Sequence, residues 1–419
     1  MAIGGGLSAG RSGLINSSAA LGVIGNNIAN VSTVGFKGSR TEFADLISAE
    51  AGGEIGKIGL GSRVGAVRTL FGQGPVESTG RSLDVALDGV GFFVLREGEG
   101  KLFTRAGNMQ LTSTGTLTNT LNLPLQGFPV SQDGVINGGV GDLNIAGAAS
   151  EAHATTKATF KGNLKADATI ATPPAAGSPT FQELYDSASY RTSLQIYDSL
   201  GQQHEMSLFY YRTSPNTWQV RFGVPSAELD NPTSTSDFEE IGRSALIFDG
   251  AGGVNSGSPV ALNNVDFKGA NPQNIEINLN EMSQFASPSG DNFVIQDGFG
   301  SGGLSNLSVD ATGLVAATFD NGQSRPLFQL AIAHFAAPEG LAPAGSQQYR
   351  ETIRSGPPAI ATAQSQGNGS IVGSALEQSN VQIAQEFIEL ITQQRAFQAN
   401  ARVITASDQL LTDLINIIR

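Results

Sequence analysis

Gly6-Leu7-Ser8-Ala9-Gly10 has the G-x-S-x-G spacing of a nucleophile elbow. That chemistry needs a strand ahead of the serine and a helix behind it, so that the hydroxyl is thrust out of a strained turn. Five residues stand ahead of Gly6, too few for the strand, and the stretch reads as the small-residue start of a helix. Gly298-Phe299-Gly300-Ser301-Gly302-Gly303 has the G-x-G-x-x-G spacing of a dinucleotide loop. Pyrophosphate is held by the helix N-terminus that follows such a loop. Here Leu304 to Val309 alternate like a strand, so the glycines read as a turn. His153, His204 and His334 are far apart, and none has a second ligand at metal spacing. Asp84/Asp88 and Glu386/Glu389 are separated acid pairs, but both lie in patterned structural segments rather than in an acid–base constellation. No P-loop, EF-hand or H-E-x-x-H occurs. No catalytic residue, metal or cofactor is expected.

Those residues sit in a chain of 419 with a formal charge of −13 and no cysteine. Phosphate backbones call for a basic face, so nucleic acid is not an expected partner. The missing thiols exclude a disulfide framework, a thiolate metal site and a cysteine nucleophile. No run of about 18 or more apolar residues occurs, so no membrane insertion is expected. The first residues lack the basic and apolar regions of a cleaved secretory signal; if the chain leaves the cell, it does so with its N-terminus intact. Glycine, at 53 residues against 7% aromatics, suits hairpins with tight turns.

Two ends and a middle organise the chain. Near the N-terminus Leu7, Leu14, Leu21 and Ile28 recur every seven residues, with Ile3, Ile24 and Val31 in a second register. At the other end Leu376, Ile383, Leu390, Phe397, Ile404, Leu411 and Ile418 are seven apart, widened by Phe387, Ala401 and Ile415. Heptads of this kind make coiled-coil-like seams. Ser379 with Gln382 reads as a capping box that starts the second helix. Neither helix can hide an apolar face alone. The expectation is that Ile3, Leu7, Leu14, Leu21, Ile24 and Ile28, with the C-terminal stripe, meet one another and other copies of the chain, ordering on assembly.

Between the ends, short apolar runs bounded by Gly, Asp, Asn or Ser predict strands. They include Leu83–Leu87, Gly91–Leu95, Leu102–Arg105 and Met109–Thr112. Ser193–Asp198 and Glu205–Arg212 flank Ser199-Leu200-Gly201-Gln202 as a hairpin, continued by Trp218–Phe222. Leu304–Phe319 and Leu327–Phe335 resume the pattern. Stretches 146–180 and 354–373 read as a crossing segment and a linker. The predicted fold is mainly β, with antiparallel β domains in the middle and terminal α-helices forming a coiled-coil-like assembly domain. The expected division is 1–31 with 378–419 as the helical domain and 32–70 as an extended linker. The middle splits into 71–146 with 294–372 as an inner β domain and 147–293 as an outer one.

Three ordered motifs carry a resemblance. Asn26-Asn27-Ile28-Ala29-Asn30-Val31-Ser32-Thr33-Val34-Gly35-Phe36-Lys37 resembles the N-terminal signature of bacterial flagellar axial proteins of the rod and hook class. Ser374-Ala375-Leu376-Glu377-Gln378-Ser379-Asn380-Val381, followed by Gln394-Arg395-Ala396-Phe397-Gln398-Ala399-Asn400, resembles their second signature. Arg81-Ser82-Leu83-Asp84-Val85-Ala86-Leu87 with Gly91-Phe92-Phe93 is similar to their central motif. Asn26, Asn27, Asn30, Gly35, Phe36 and Lys37 are the positions carried by the first signature. A long middle, with Tyr197-Asp198-Ser199-Leu200-Gly201 and Trp218-Gln219-Val220, is similar to hook-type members. A distal rod subunit, or outside the class a β-rich secreted surface adhesin, is the alternative. The resemblance implies a self-assembling tube that acts as a universal joint in motility. It also implies export through the flagellar type III apparatus and contacts with the distal rod protein, a hook cap and a hook–filament junction protein.

Overall fold

The structure is a computed structural model that describes residues 2–47, 59–175 and 179–418, with side chains described from 7 to 46, 61 to 175, 179 to 410 and at 412 and 413. Among the described residues there are three α-helices, α1 (Ala2–Ala29), α2 (Phe181–Ser187) and α3 (Ile383–Ile418). Nearly all the strand pairings are antiparallel, the fold class expected from the pattern. The chain forms two compact units. The first takes Met1–Gly147, Asn306–Thr318 and Ser324–Arg419; the second takes Ala148–Ser305 with Phe319–Gln323.

The second unit is built on two sheets. Tyr190–Tyr197, Gln203–Ser214, Thr217–Pro225, Phe238–Phe248 and Val254–Ser256 form an antiparallel meander in chain order. Val260–Val265, Gln273–Phe285, Lys157–Lys165 and Gly290–Gln296 form the other sheet in that spatial order. Strict alternation drives both: in Lys157–Lys165 every second side chain is buried, which is how a strand covers a core with one face. Phe160, Leu164, Leu208, Tyr210, Trp218, Phe222, Leu246, Ile277 and Leu279 make one shared core. The Trp218 indole N–H donates to Gln284 Oε1 at 3.2 Å, so even the polar tip of the largest buried ring is satisfied. On the other face of the meander, α2 packs Leu184 against Phe209, Tyr211 and Phe238. Its start is a capping box between Thr180 and Glu183.

The first unit holds a six-stranded sheet ordered Ala342–Gly345, Gln348–Arg350, Gly100–Thr104, Phe92–Glu97, Ile332–His334, Ala359–Ala361. A five-stranded sheet includes Gln126–Pro129, Ser324–Leu330 and Leu314–Phe319. Few aromatics are present in the chain, yet they gather here. Phe335 meets Phe103 and Phe92 edge-on at 4.8 and 5.9 Å, and Phe71 meets Tyr349 at 5.1 Å. Edge-to-face pairs add about 0.5–1.5 kcal/mol each beyond buried area.

Several boundaries differ from the expectation. The terminal helices share a compact unit with the first β set. The second unit runs past residue 293, because Gly290–Gln296 pairs with Lys157–Lys165. That latter strand also pairs in parallel with Gln273–Phe285. It lies in the stretch 146–180, whose Ala, Thr and Pro content hides its alternation. The stretch 32–70 is no plain linker: Ser39–Ile47 and Gly59–Thr69 form a twisted hairpin with two register shifts. The glycines at 52 and 53 lie outside the described residues. Stretch 354–373 is likewise pinned, since Ala359–Ala361 joins the six-stranded sheet and Ser370–Gly373 pairs with Val85–Asp88.

Candidate assembly interface

Helices α1 and α3 run antiparallel. A Cβ built on Gly10 would stand 3.0 Å from Ile404 Cγ1, and one on Gly13 only 2.5 Å from the Asn400 amide nitrogen. Further along, Asn27 donates from Nδ2 to Glu386 Oε1 at 3.1 Å. A side chain at Gly13 would displace the Asn400 amide from this close packing. Ser17, Ala20 and Ile24 are buried along this seam, while Leu14, Leu21 and Ile28 are half-buried and Leu7 is exposed.

The C-terminal stripe does not form one seam. Leu390 and Ile404 are half-buried, whereas Ile383, Phe387, Ile388 and Ile391 are 48, 49, 60 and 48% exposed, and Phe397 is exposed too. A straight helix drifts about 20° per heptad, so residues seven apart walk round α3 instead of tracking α1. Leu376 is off the helix altogether: it lies on strand Ala375–Glu377, paired with Val76–Ser78. Ser379 does not cap the helix at Gln382. Its hydroxyl accepts from Val381 N at 3.2 Å, a local turn that delays the helix to Ile383. The side chains of Ile3, Leu411 and Ile418 lie outside the described residues.

The uncharged signatures work as staples. Asn27 donates to Ser39 O at 2.8 Å and accepts from Ser39 N at 2.9 Å, locking α1 to the hairpin. Asn380 accepts from Gly38 N at 2.9 Å and donates to Leu70 O at 2.7 Å. Asn30 closes the end of α1, donating to Asn26 O at 2.9 Å. Gly35 has φ +67, and a Cβ there would lie 2.5 Å from Ala106 N, so both its conformation and its clearance demand glycine. Asn16, buried on the hairpin side of α1, donates to Ser62 Oγ at 2.7 Å.

The two signatures each contribute one buried charge. Lys37 Nζ donates to Glu377 Oε1 at 2.6 Å and to Gly72 O at 2.8 Å. Arg105 reaches Glu377 Oε2 at 3.2 Å and Gly89 O at 2.7 Å. Gly74 N also donates to Glu377 Oε1, at 2.9 Å. Burial pushes the Lys37 ammonium and the Arg105 guanidinium below their ordinary values, against the pull of Glu377. Burial likewise raises the Glu386 carboxyl, with Glu389 adding to it and the Asn27 hydrogen bond opposing it. The signal for this hub was in the sequence as one charge in each of two otherwise uncharged runs, Lys37 in 26–37 and Glu377 in 374–381. Arg105, the end of an ordinary strand, gave none.

The residues that raised enzymatic possibilities take structural places. Ser8 lies inside α1. The stretch 298–303 joins Gly290–Gln296 to Leu304–Val309 and hydrogen-bonds back through Gly302 to Ser150 and through Phe299 to His153. His204 stacks on Phe267 at 4.0 Å, with Nε2 3.1 Å from Asp198 and Nδ1 2.8 Å from Glu228. Both ring nitrogens thereby have a carboxylate partner, and the ring ties Asp198 to Glu228. Among the described residues no group of three or more His, Asp or Glu stands ready to hold a metal ion, and no helix is long and apolar enough to cross a membrane.

A helix pair with apolar side chains left on its outside, stapled to the strands of the first unit by signatures from both ends, defines an axial subunit of a flagellar assembly. Residues 7–37 match the flagella basal body rod protein family and 372–417 the flagellar basal body rod FlgEFG protein C-terminal family. Residues 163–299 match the flagellar basal body protein FlaE D2 domain. The flagellar hook protein FlgE of Treponema pallidum is 33% identical over 99% of both chains. That of Escherichia coli K12 is 32% identical over 97% of this chain and 98% of its own. The crystal structure of Helicobacter pylori flagellar hook protein FlgE2 superposes with a TM-score of 0.49 at 15% identity, covering 72% of this chain and 100% of that one. The chain belongs to the flagellar hook protein family, and it is a structural subunit of the bacterial flagellar hook.

Proposed function

We propose that the chain polymerises through its terminal helix pair into a flexible tube that passes torque from rod to filament. The observation that carries this is the outside of α3. Ile383, Phe387, Ile388, Ile391, Phe397 and Leu410 remain exposed after the pair has formed. A side chain of this size gains roughly 1.5–3 kcal/mol on full burial, and a lattice offers that burial at every subunit. The self-assembly residues are those of the two stripes that the helices carry, Leu7, Leu14, Leu21, Ile24 and Ile28 with Ile383, Phe387, Leu390, Phe397 and Ile404.

The same reading assigns neighbours: the distal rod protein at one end, the hook cap during growth, and the hook–filament junction protein afterwards. Export runs through the flagellar type III apparatus, unfolded and without cleavage of a signal peptide. The absence of cysteine supports such a route, since no oxidative step is needed outside the cell. The acidic surface argues against nucleic acid. The helical placement of Ser8 supports a chain without catalytic work. Electron microscopy of the purified chain tests the reading: tubes are expected as concentration rises. A chain that stays monomeric by sedimentation at every concentration tried would overturn it.

A further inference from the structure

The sequence holds three Asn-Gly pairs, Asn137-Gly138, Asn321-Gly322 and Asn368-Gly369. Such pairs mark turns, and they carry a chemistry of their own. The backbone nitrogen after the asparagine can attack its side-chain amide, and glycine, with no Cβ, leaves that approach uncrowded. Two conditions must hold: the glycine N–H must be free, and the asparagine amide must be free to turn toward it. Asn368-Gly369 meets neither. Asn368 is buried, its Nδ2 donates to Thr362 O at 3.1 Å, and Gly369 N donates to Val90 O at 2.7 Å. Asn321-Gly322 meets neither as well. Asn321 Nδ2 donates to Gly300 O at 2.8 Å, its Oδ1 accepts from Gln323 N at 3.0 Å, and Gly322 N donates to Phe319 O at 3.1 Å. Asn137 differs. It is exposed and is followed by exposed glycines at 138 and 139. Its own N–H donates to Pro129 O at 3.1 Å, but its side-chain amide and Gly138 N have no hydrogen-bond partner among the described residues.

We propose that Asn137 is a modification site, at which the folded chain deamidates itself through its own backbone. Gly138 N gives its proton to a solvent base, and its electron pair forms a bond to Asn137 Cγ. The Cγ–Nδ2 bond breaks, and Nδ2 takes up a proton and leaves as ammonia. The product is a succinimide ring, which water opens. Attack of water at Cγ leaves an ordinary aspartate. Attack at the main-chain carbonyl carbon leaves isoaspartate, in which the chain runs through the side-chain carbon. Either way one water enters and one ammonia leaves, and nothing is oxidised or reduced. The new carboxylate makes the chain one unit more negative than its formal −13. It falls just past the bridge between Val130 and Ile136, where residues 137–139 are exposed, so the extra backbone atom of isoaspartate disturbs no core packing. Ammonia is lost to the solvent, so the converted fraction rises with the age of the chain.

Incubating the purified full chain in warm, mildly alkaline buffer and mapping its peptides by mass spectrometry tests this. The peptide holding Asn137 is expected to give two new products, each heavier by the exchange of NH for O, while those holding Asn321 and Asn368 stay unchanged. In denaturant the hydrogen bonds that protect the other two pairs are gone, as they are on opening of the fold, and all three pairs are expected to convert at comparable rates. On ion exchange the folded chain is expected to shift by one negative charge. Asn137→Gln is expected to abolish that shift, because glutamine would have to close a larger, less favoured ring. Conversion of Asn321 or Asn368 in the folded chain as fast as that of Asn137 would overturn the proposal. So would an Asn137 that converts only after denaturation, or a charge shift of the same size in the Asn137→Gln variant.

Discussion

Glu377 joins parts of the chain that are remote in sequence, bonding Lys37 from 340 residues away, Arg105, and the backbone at Gly74. Its side chain and that of Lys37 are fully shielded from water. Removing one member of a buried ion cluster leaves the others charged and unpaired, which costs about 3–5 kcal/mol. Glu377→Gln is therefore expected to lower the stability of the first unit by that order in chemical denaturation. Glu97→Gln, which breaks an exposed pair with Arg350, is expected to cost less than about 1 kcal/mol. Equal losses from the two changes would show that the hub is not what ties the ends to the scaffold. Nearby Tyr349 makes the unit sensitive to alkali. Burial pushes its phenol up to about 12, Arg105 pulling it down and Glu377 pushing it up. The unfolded phenol ionises near 10, so between about pH 10 and 12 the folded state holds the proton more tightly. Stability from this group is full below pH 10 and is lost as pH rises to 12, by about 3 kcal/mol. Lys37, lowered by burial, acts in the opposite sense below its ordinary value, so the comparison must be with Tyr349→Phe. That variant is expected to flatten the fall in melting temperature over this range; an unchanged fall would remove Tyr349 as its cause.

The helix pair shows how far periodicity reaches and where it stops. The heptads located both helices and most of their apolar side chains, because spacing reports which residues share a face. They did not report which face meets which neighbour. The seam in the structure is set by small residues, Gly13, Ser17 and Ala20, whose role is clearance and which no hydrophobic pattern displays. Leu376 kept the seven-residue count but fell on a strand, since Ser374 has φ +55 and the following turn separates strand from helix. Strands with clean alternation, such as Tyr190–Tyr197 and Gln203–Ser214, were legible; the parallel partnering of Lys157–Lys165 was not, because register between distant strands leaves no local mark. Phe397 separates the seam from the outer surface. It is 39% exposed in the single chain, so Phe397→Asp is tolerated by the isolated fold but buries an unpaired carboxylate in any lattice. Assembly is expected to be abolished while both units melt as before. Gln398→Asp, one residue round the helix, should be far milder by turbidity and electron microscopy. If both variants polymerise alike, that part of α3 is not a subunit contact.

At the scale of the whole molecule, the second unit is mainly one long insertion, Ala148–Ser305, with Phe319–Gln323 added, and the two ends of the long segment lie side by side. Ser150 and Gly302 exchange both backbone hydrogen bonds at 2.9 Å, and so do His153 and Phe299. From the sequence the insertion is expected over 147–293, so its start is legible but its end falls short of the glycines at 298–303, which read only as a turn. The sequence could not show that the exit follows a strand bonded to the entry, because such pairing spans some 150 positions with no local signal. The unit also has a core of its own, closed around Trp218, Phe160 and Ile277, and it contains neither terminal helix. Closing the gap with a short joint costs little loop entropy when the ends already neighbour each other. Replacing residues 151–301 by Gly-Gly is therefore expected to leave the first unit folded, with its thermal transition close to that in the full chain. The hub of Lys37, Arg105 and Glu377, the α1–α3 seam and the exposed side chains of α3 all survive the excision, so the shortened chain is expected to form tubes. Stability of those tubes should fall only by whatever the second units contribute to one another. A shortened chain that melts normally yet never polymerises would show that contacts between second units are required, and that the helix pair is necessary for the polymer without being sufficient.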